Sequence, residues 1–300
     1  MPILPQTKKD LGLFGVYALA TGVTLSSGFF LLPSFATEMA GPAVILAYLL
    51  AGLLMLPPML SKIELGTAMP RSGGQYFFLD RCLGPMVGTI GGLGTWLALI
   101  LKTSFALVGM SAYIRILPWE ELAALEMKHI NMVPWESLPT VDGDYQLTLV
   151  AVGLVLFFGA LNILGAKKTT IFQIVLVAVL ISFLGWFLAS GSFAVKSIHF
   201  EGFFDEGHNN IFATVGLVFI SYVGVTSVIS VAGEIKNPER NLPLGLFFAI
   251  GTAIIIYVLG LWVMIGVSGP EAVTFANGQI NLTPVSTVAA DITGSNVGAY

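Results

Sequence analysis

Apolar residues run along this chain in long blocks, separated by short polar stretches, with neither a strand's alternation nor one helical stripe. A helix needs ~20 consecutive apolar residues to cross a membrane, so the pattern predicts an all-α polytopic membrane protein. Taken in order, the blocks predict spans over residues 11–38, 42–61, 85–117, 146–164, 171–190, 211–235 and 244–267. Between the second and third lies a polar-aromatic loop, 66–84, with a short helix along the interface. Residues 118–145 carry Glu120, Glu121, Glu126, Glu136, Asp142 and Asp144 against Lys128 alone, so that loop is expected in water. An eighth segment starts near Pro284 and includes Asp291 and Gly294. By Tyr300 it is too short and too polar to span, so the chain is expected to stop partway through a larger protein.

Two blocks are interrupted where they should be most apolar. The first reads G-V-T-L-S-S-G-F-F-L-L-P at 22–33. Glycine costs ~1 kcal/mol against alanine inside a helix, and serine competes for backbone hydrogen bonds. The expectation is two half-helices, 11–25 and 30–38, separated by an unwound Ser26–Phe29. Irregular backbone at membrane depth persists only where protein buries it or it lines a cavity. On this stretch alone, a binding segment and a merely kinked helix remain equally open. The sixth span repeats the anomaly as F-I-S-Y-V-G-V-T-S at 219–227. It crosses in the opposite direction, and a pair of opposed, interrupted helices is the pointer to an inverted-repeat transporter with its site at the midplane.

Composition agrees: mean hydropathy is +0.88, and only 10% of residues are charged against 56% hydrophobic, which excludes an ordinary soluble domain. Lysine and arginine set the orientation. With a cytoplasmic N terminus, the inner side holds Lys8, Lys9, Lys62, Arg71, Arg81, Lys167, Lys168, Lys236 and Arg240. The outer side holds only Arg115, Lys128 and Lys196, as the positive-inside rule requires. The single cysteine, Cys82, excludes an internal disulfide, and no catalytic or metal-ligand pattern, cofactor motif or basic nucleic-acid-binding face is visible. Nothing in the sequence supports an enzyme, and the first apolar block is too long for a cleaved leader.

Lys102 stands apart. About fifteen residues at ~1.5 Å each put more than ~20 Å between it and either end of the third span, beyond a lysine's snorkelling reach. It shares a helical stripe with Thr95, Leu99, Ala106 and Gly109, whose small members favour close packing. An intramembrane charge invites a functional reading with its partner named. Here that reading is the place of a coupling cation, or a response to protons, beside the first interruption. The alternative is a structural lysine bonded to helix-end carbonyls.

Four stretches resemble the amino acid permeases of the amino acid–polyamine–organocation superfamily. They are 22–33 above, E-L-G-T-A-M-P-R-S-G-G-Q-Y-F-F-L-D-R-C-L-G-P at 64–85, N-I-L-G-A-K at 162–167, and E-I-K-N-P-E-R-N-L-P at 234–243, the last being the most specific. The resemblance implies a five-plus-five, leucine-transporter-like inverted-repeat fold. Residues 1–190 would form the first five-helix repeat, and 191–300 part of the second. It implies a secondary transporter of amino acids or related amines working by alternating access, coupled to protons or sodium, in the cell membrane. The backbone of Ser26, Ser27, Gly28 and Phe29 would receive the substrate carboxylate. Ile220, Ser221, Tyr222, Val223, Gly224, Val225 and Thr226 would surround its amino group. Glu64 and Glu234 match family acids at helix ends, in gating or as partners of nearby Lys62, Arg71, Lys236 or Arg240. Departures are Ser26 in place of glycine, Val225 in place of an aromatic residue, Thr226 in place of a frequent acid, and Leu180 in place of a lysine. An inorganic-ion symporter of the cation–chloride cotransporter kind, and a channel or non-transporting membrane sensor, stand as alternatives.

Overall fold

The computed structural model describes residues 9, 11–71, 73–116, 152–153, 155–160, 163, 166–204, 208–276 and 279–294. The expected fourth span and the acidic loop before it lie largely outside these residues. What is described is helical apart from a two-residue hairpin, β1 (Phe275–Ala276) with β2 (Gln279–Ile280). Among the described residues, six helical stretches are long and apolar enough to cross a membrane by length and composition.

The first span comprises α1 (Leu13–Thr24), a single turn α2 (Ser27–Phe30) and α3 (Leu32–Ala40). It ends at Gly41, whose φ of 54° lies in the left-handed region open to glycine, and Pro42 then opens the next turn. That break separates α3 from α4 (Val44–Leu54) and α5 (Leu56–Ala68), which form span two. The loop helix is present as α6 (Gly74–Leu83), followed by α7 (Pro85–Ile116) as span three and α8 (Ala166–Ser192) as span five.

Span six is α9 (His208–Tyr222) continued by a 3-10 segment, Val223–Glu234. Span seven is α10 (Pro238–Thr274), and the eighth segment begins as α11 (Pro284–Thr293). The turn between spans six and seven explains the chemistry of 234–243. Asn237 takes the left-handed conformation that asparagine tolerates, φ 44°, and Pro238 occupies the first helical position, where no amide is needed. Asn241 Nδ2 donates to the Lys236 carbonyl at 2.5 Å, closing the turn. Gly269, φ 83°, followed by Pro270, interrupts α10 close to the expected end of its span.

Packing centres on span one. α1 lies against α10, α8 and the 3-10 segment, while α9 packs on α3 and α4. With lipid as apolar as leucine, such contacts rest on close van der Waals packing and satisfied backbone groups. A parallel bridge also ties the two interrupted spans at one end: Leu11 N donates to Glu234 O at 3.0 Å and Lys236 N to Leu11 O at 2.8 Å.

Candidate functional site

Span one breaks at Leu25–Ser26, a narrower interruption than the sequence suggests. Ser26 has φ −63° and ψ −133°, outside the helical region, and its Oγ donates to the Val23 carbonyl at 3.0 Å, ending α1. Ser27–Phe29, expected to be unwound, instead form the helical turn α2. Phe29 N reaches Ser26 O at 3.1 Å and Leu31 N reaches Ser27 O at 3.0 Å, so the backbone re-forms hydrogen bonds within a residue of the break. The amides of Ser27 and Gly28 open this turn and have no acceptor inside it.

Span six departs from expectation in another way. It stays α-helical through Tyr222 and then rewinds as a 3-10 helix rather than unwinding. Hydroxyls reinforce this winding from i to i−3: Thr226 to Val223 O at 3.1 Å, Ser227 to Gly224 O at 2.7 Å and Ser230 to Ser227 O at 2.6 Å. A 3-10 run beyond three or four residues is uncommon and often marks a hinge or strain.

The two interruptions touch. A Cβ on Gly28 would lie 2.6 Å from the Tyr257 hydroxyl oxygen and 2.7 Å from both Cβ and Oγ of Ser221. A Cβ on Gly224 would lie 2.6 Å from the Val23 carbonyl oxygen and 2.9 Å from Lys102 Nζ. Ser221 Oγ is buried beside the Tyr48 and Tyr257 hydroxyls and makes no hydrogen bond of good geometry among the described residues. Phe29, Tyr222 and Val225 are fully buried around this contact, and Ser27 is buried as well. Ile220 and Val223 are exposed and do not join the cluster. Thr226 is drawn elsewhere, its Oγ1 accepting from Lys62 Nζ of α5 at 3.0 Å.

Lys102 does meet the first interruption. Its Nζ donates to the Val23 carbonyl at 3.0 Å, at the C-terminal, electronegative end of α1. That is the structural reading's geometry, and it also puts a positive charge at the break. Glu64 is exposed, and its carbonyl accepts from Thr67 Oγ1 at 3.0 Å. Glu234 is half-buried and contributes its carbonyl to the Leu11 bridge. These main-chain roles are what the structure gives the two acids. No group of three or more metal-ligating side chains lies among the described residues.

Sequence reasoning named Tyr222 but missed Tyr48, Tyr113 and Tyr257. Tyr257 OH donates to Thr24 O at 2.7 Å, Tyr48 OH to Gly28 O at 3.0 Å, Tyr113 OH to Phe30 O at 3.0 Å and Tyr222 OH to Tyr48 O at 2.9 Å. For Tyr257 the available signal was depth, because tyrosine in a membrane helix favours the interface and Tyr257 stands near the middle of its span; Tyr48 and Tyr113 stand near span ends and gave none. Away from the break, a cavity of about 300 Å³ flanks α1 beside α8, lined among others by Gly22, Gln173 and Leu180. It includes none of Ser26–Phe29.

The amino acid permease family profile matches residues 11–300. The chain is 30% identical to the branched-chain amino acid permease BcaP of Bacillus subtilis (strain 168), covering 87% of this chain and 55% of that protein. It is 26% identical to the methylthioribose transporter of the same organism, over 86% of this chain and 55% of the relative. It is 28% identical to the vacuolar cationic amino acid transporter 4 of Arabidopsis thaliana, over 87% of this chain and 44% of the relative. The chain thus spans about half the length of the curated relatives it matches.

Proposed function

This chain belongs to the amino acid permease family, and on that premise we propose that it serves a secondary transporter of amino acids or related amines working by alternating access. It is an integral membrane protein. In this reading residues 1–190 are the first repeat of an inverted pair and 191–300 part of the second, with the N terminus in the cytoplasm and the cell membrane as the site of action. The observation that carries the proposal is the meeting of spans one and six at their interruptions, Gly28 against Ser221 and Gly224 against Val23. Two opposed, broken helices in contact supply a backbone-lined site whose halves can move apart.

Each site residue then has a role. The amides of Ser27 and Gly28, which open α2, take the substrate carboxylate, with Ser26 at the break and Phe29 packed behind it. The span-six turn around Ser221, Tyr222, Gly224 and Val225 takes the amino group, and the Ser221 hydroxyl lies against Gly28 beside that of Tyr257. Lys102, on the Val23 carbonyl, stands where a substrate ammonium or coupling cation would find the end of α1, which links it to proton or sodium coupling. Because Gly28 and Gly224 are packed to contact, substrate entry requires the two spans to part.

The test is uptake by the full-length protein in proteoliposomes, scanning each labelled L-amino acid under imposed proton and sodium gradients. Saturable, gradient-dependent uptake that unlabelled amino acids compete for is expected. Conductance without competition, or ligand binding without flux, would replace transport with a channel or a sensor.

A further inference from the structure

We infer that Tyr48, Tyr113 and Tyr257 are positioning residues that clamp the break in span one and thereby set when the candidate site opens, an inference that rests on the transport reading above. The break creates a specific problem. Ending α1 and restarting as α2 leaves carbonyls without intrahelical partners, and hydrocarbon offers none. Three hydroxyls from three different spans supply them. On one side of Leu25–Ser26, the Tyr257 hydroxyl of α10 donates to the Thr24 carbonyl at 2.7 Å. On the other, Tyr48 of α4 donates to the Gly28 carbonyl and Tyr113 of α7 to the Phe30 carbonyl, each at 3.0 Å.

The rings are placed as tightly as the hydroxyls. Tyr48 and Tyr257 are fully buried with centroids 5.1 Å apart, and Tyr257 lies 6.0 Å from Phe29. Tyr113 stands edge-on to Phe30 at 5.7 Å. Each side of the break is therefore pinned to a different helix. The halves of span one cannot tilt about Leu25–Ser26 unless these bonds break or spans two, three and seven move with them. Fixing the carbonyls also fixes the Ser27 and Gly28 amides on the same short turn, so the tyrosines set the geometry of the turn that would receive substrate.

Replacing tyrosine by phenylalanine removes only the oxygen and keeps the ring. The experiment places a cysteine at the half-buried Ser26 (Ser26→Cys) in a Cys82→Ser background of the full-length protein. In proteoliposomes, it measures the rate at which a small cationic methanethiosulfonate modifies that thiol. Tyr48→Phe, Tyr113→Phe and Tyr257→Phe are each combined with the probe. Tyr17→Phe serves as control, because Tyr17 also joins α1 to α10, through Thr252 Oγ1 at 3.2 Å, but touches no carbonyl at the break.

Faster labelling in Tyr257→Phe and in at least one of the other two is expected, on the order of tenfold for one net hydrogen bond, with the control at the reference rate. The reference rate in all three variants overturns the clamp. Equal acceleration in Tyr17→Phe also overturns it, since loss of any helix–helix bond would then suffice. Failure of all three to insert would assign the hydroxyls to folding and overturn it too. Labelling needs no substrate, so a protein that carries no amino acid yet shows the acceleration rejects the transport reading separately.

Discussion

Gly224→Ala is the sharpest perturbation of the contact between spans one and six. The added Cβ would sit 2.6 Å from the Val23 carbonyl oxygen, where carbon–oxygen contacts prefer roughly 3.3 Å or more. Relief requires a shift of about 0.7 Å, and the obstacle is backbone, so no side-chain rotation supplies it. Lys102 Nζ, 2.9 Å from the same Cβ, would be pushed from its carbonyl partner at the same time. Overpacking of this kind costs about 1–3 kcal/mol. If it falls on the substrate-competent arrangement, affinity drops by roughly 5- to 150-fold, at 1.4 kcal/mol per tenfold. The assay is concentration-dependent uptake of the best labelled amino acid, with membrane yield and melting temperature measured in parallel. Gly216→Ala lies in the same span, and its Cβ would meet nothing within 4 Å, so it should match the unmodified protein or gain slightly in stability. Unmodified uptake and melting in Gly224→Ala would mean that spans one and six do not approach as described, and the site built on that approach would fall.

Three further outcomes are expected. Lys102→Met should abolish the normal pH and ion dependence of uptake and Lys102→Gln, which keeps an N–H donor, should weaken it less; unchanged dependence in both would make the lysine structural. Thr226→Asp places a carboxylate beside Lys62, so it should stabilise the protein by on the order of 1–2 kcal/mol. That gain, read as a higher melting temperature, should vanish when Lys62→Met is added. A cysteine at the exposed Asn237, in a Cys82→Ser background, should react only from the cytoplasmic side, and labelling from outside would reverse span six and end the inverted-repeat argument.

Span boundaries were legible because they follow from apolar block length, and α7, α8, and α9 taken with its 3-10 continuation fall close to the expected ranges. The break at Ser26 and the change at span six were legible as glycine and serine in the wrong place. Their form was not. Whether a chain unwinds or rewinds depends on which partners its carbonyls find, and those come from other spans. Thr226 shows the same limit: its position suggested a ligand-facing hydroxyl, but Lys62, distant in sequence, claims it at 3.0 Å. Tyr48 and Tyr257 look like ordinary span residues until the break gives their hydroxyls something to bond. Lys102 was legible as costly, and its partner is a helix-end carbonyl, as the structural alternative had it.

The arrangement as packed has an energetic consequence for the proposed mechanism. A carboxylate on the Ser27 and Gly28 amides would need the volume that Tyr257 OH and Ser221 now occupy against Gly28. Making that volume separates span one from spans six and seven, which strains the Tyr257 bond to Thr24 O. It also opens the approach of Gly224 to the Val23 carbonyl that Lys102 holds. A ligand shifts such an equilibrium only by its differential affinity for the parted arrangement. The parted arrangement would expose the Ser221 hydroxyl and the amides that open α2 to a ligand. A zwitterion carries both kinds of group at the separation of one α-carbon, and an anion or cation alone carries one. In the proposed transporter, the contacts that close the break would therefore favour a substrate with a carboxylate and an amine on one carbon, leaving its side chain to be selected by residues outside the break.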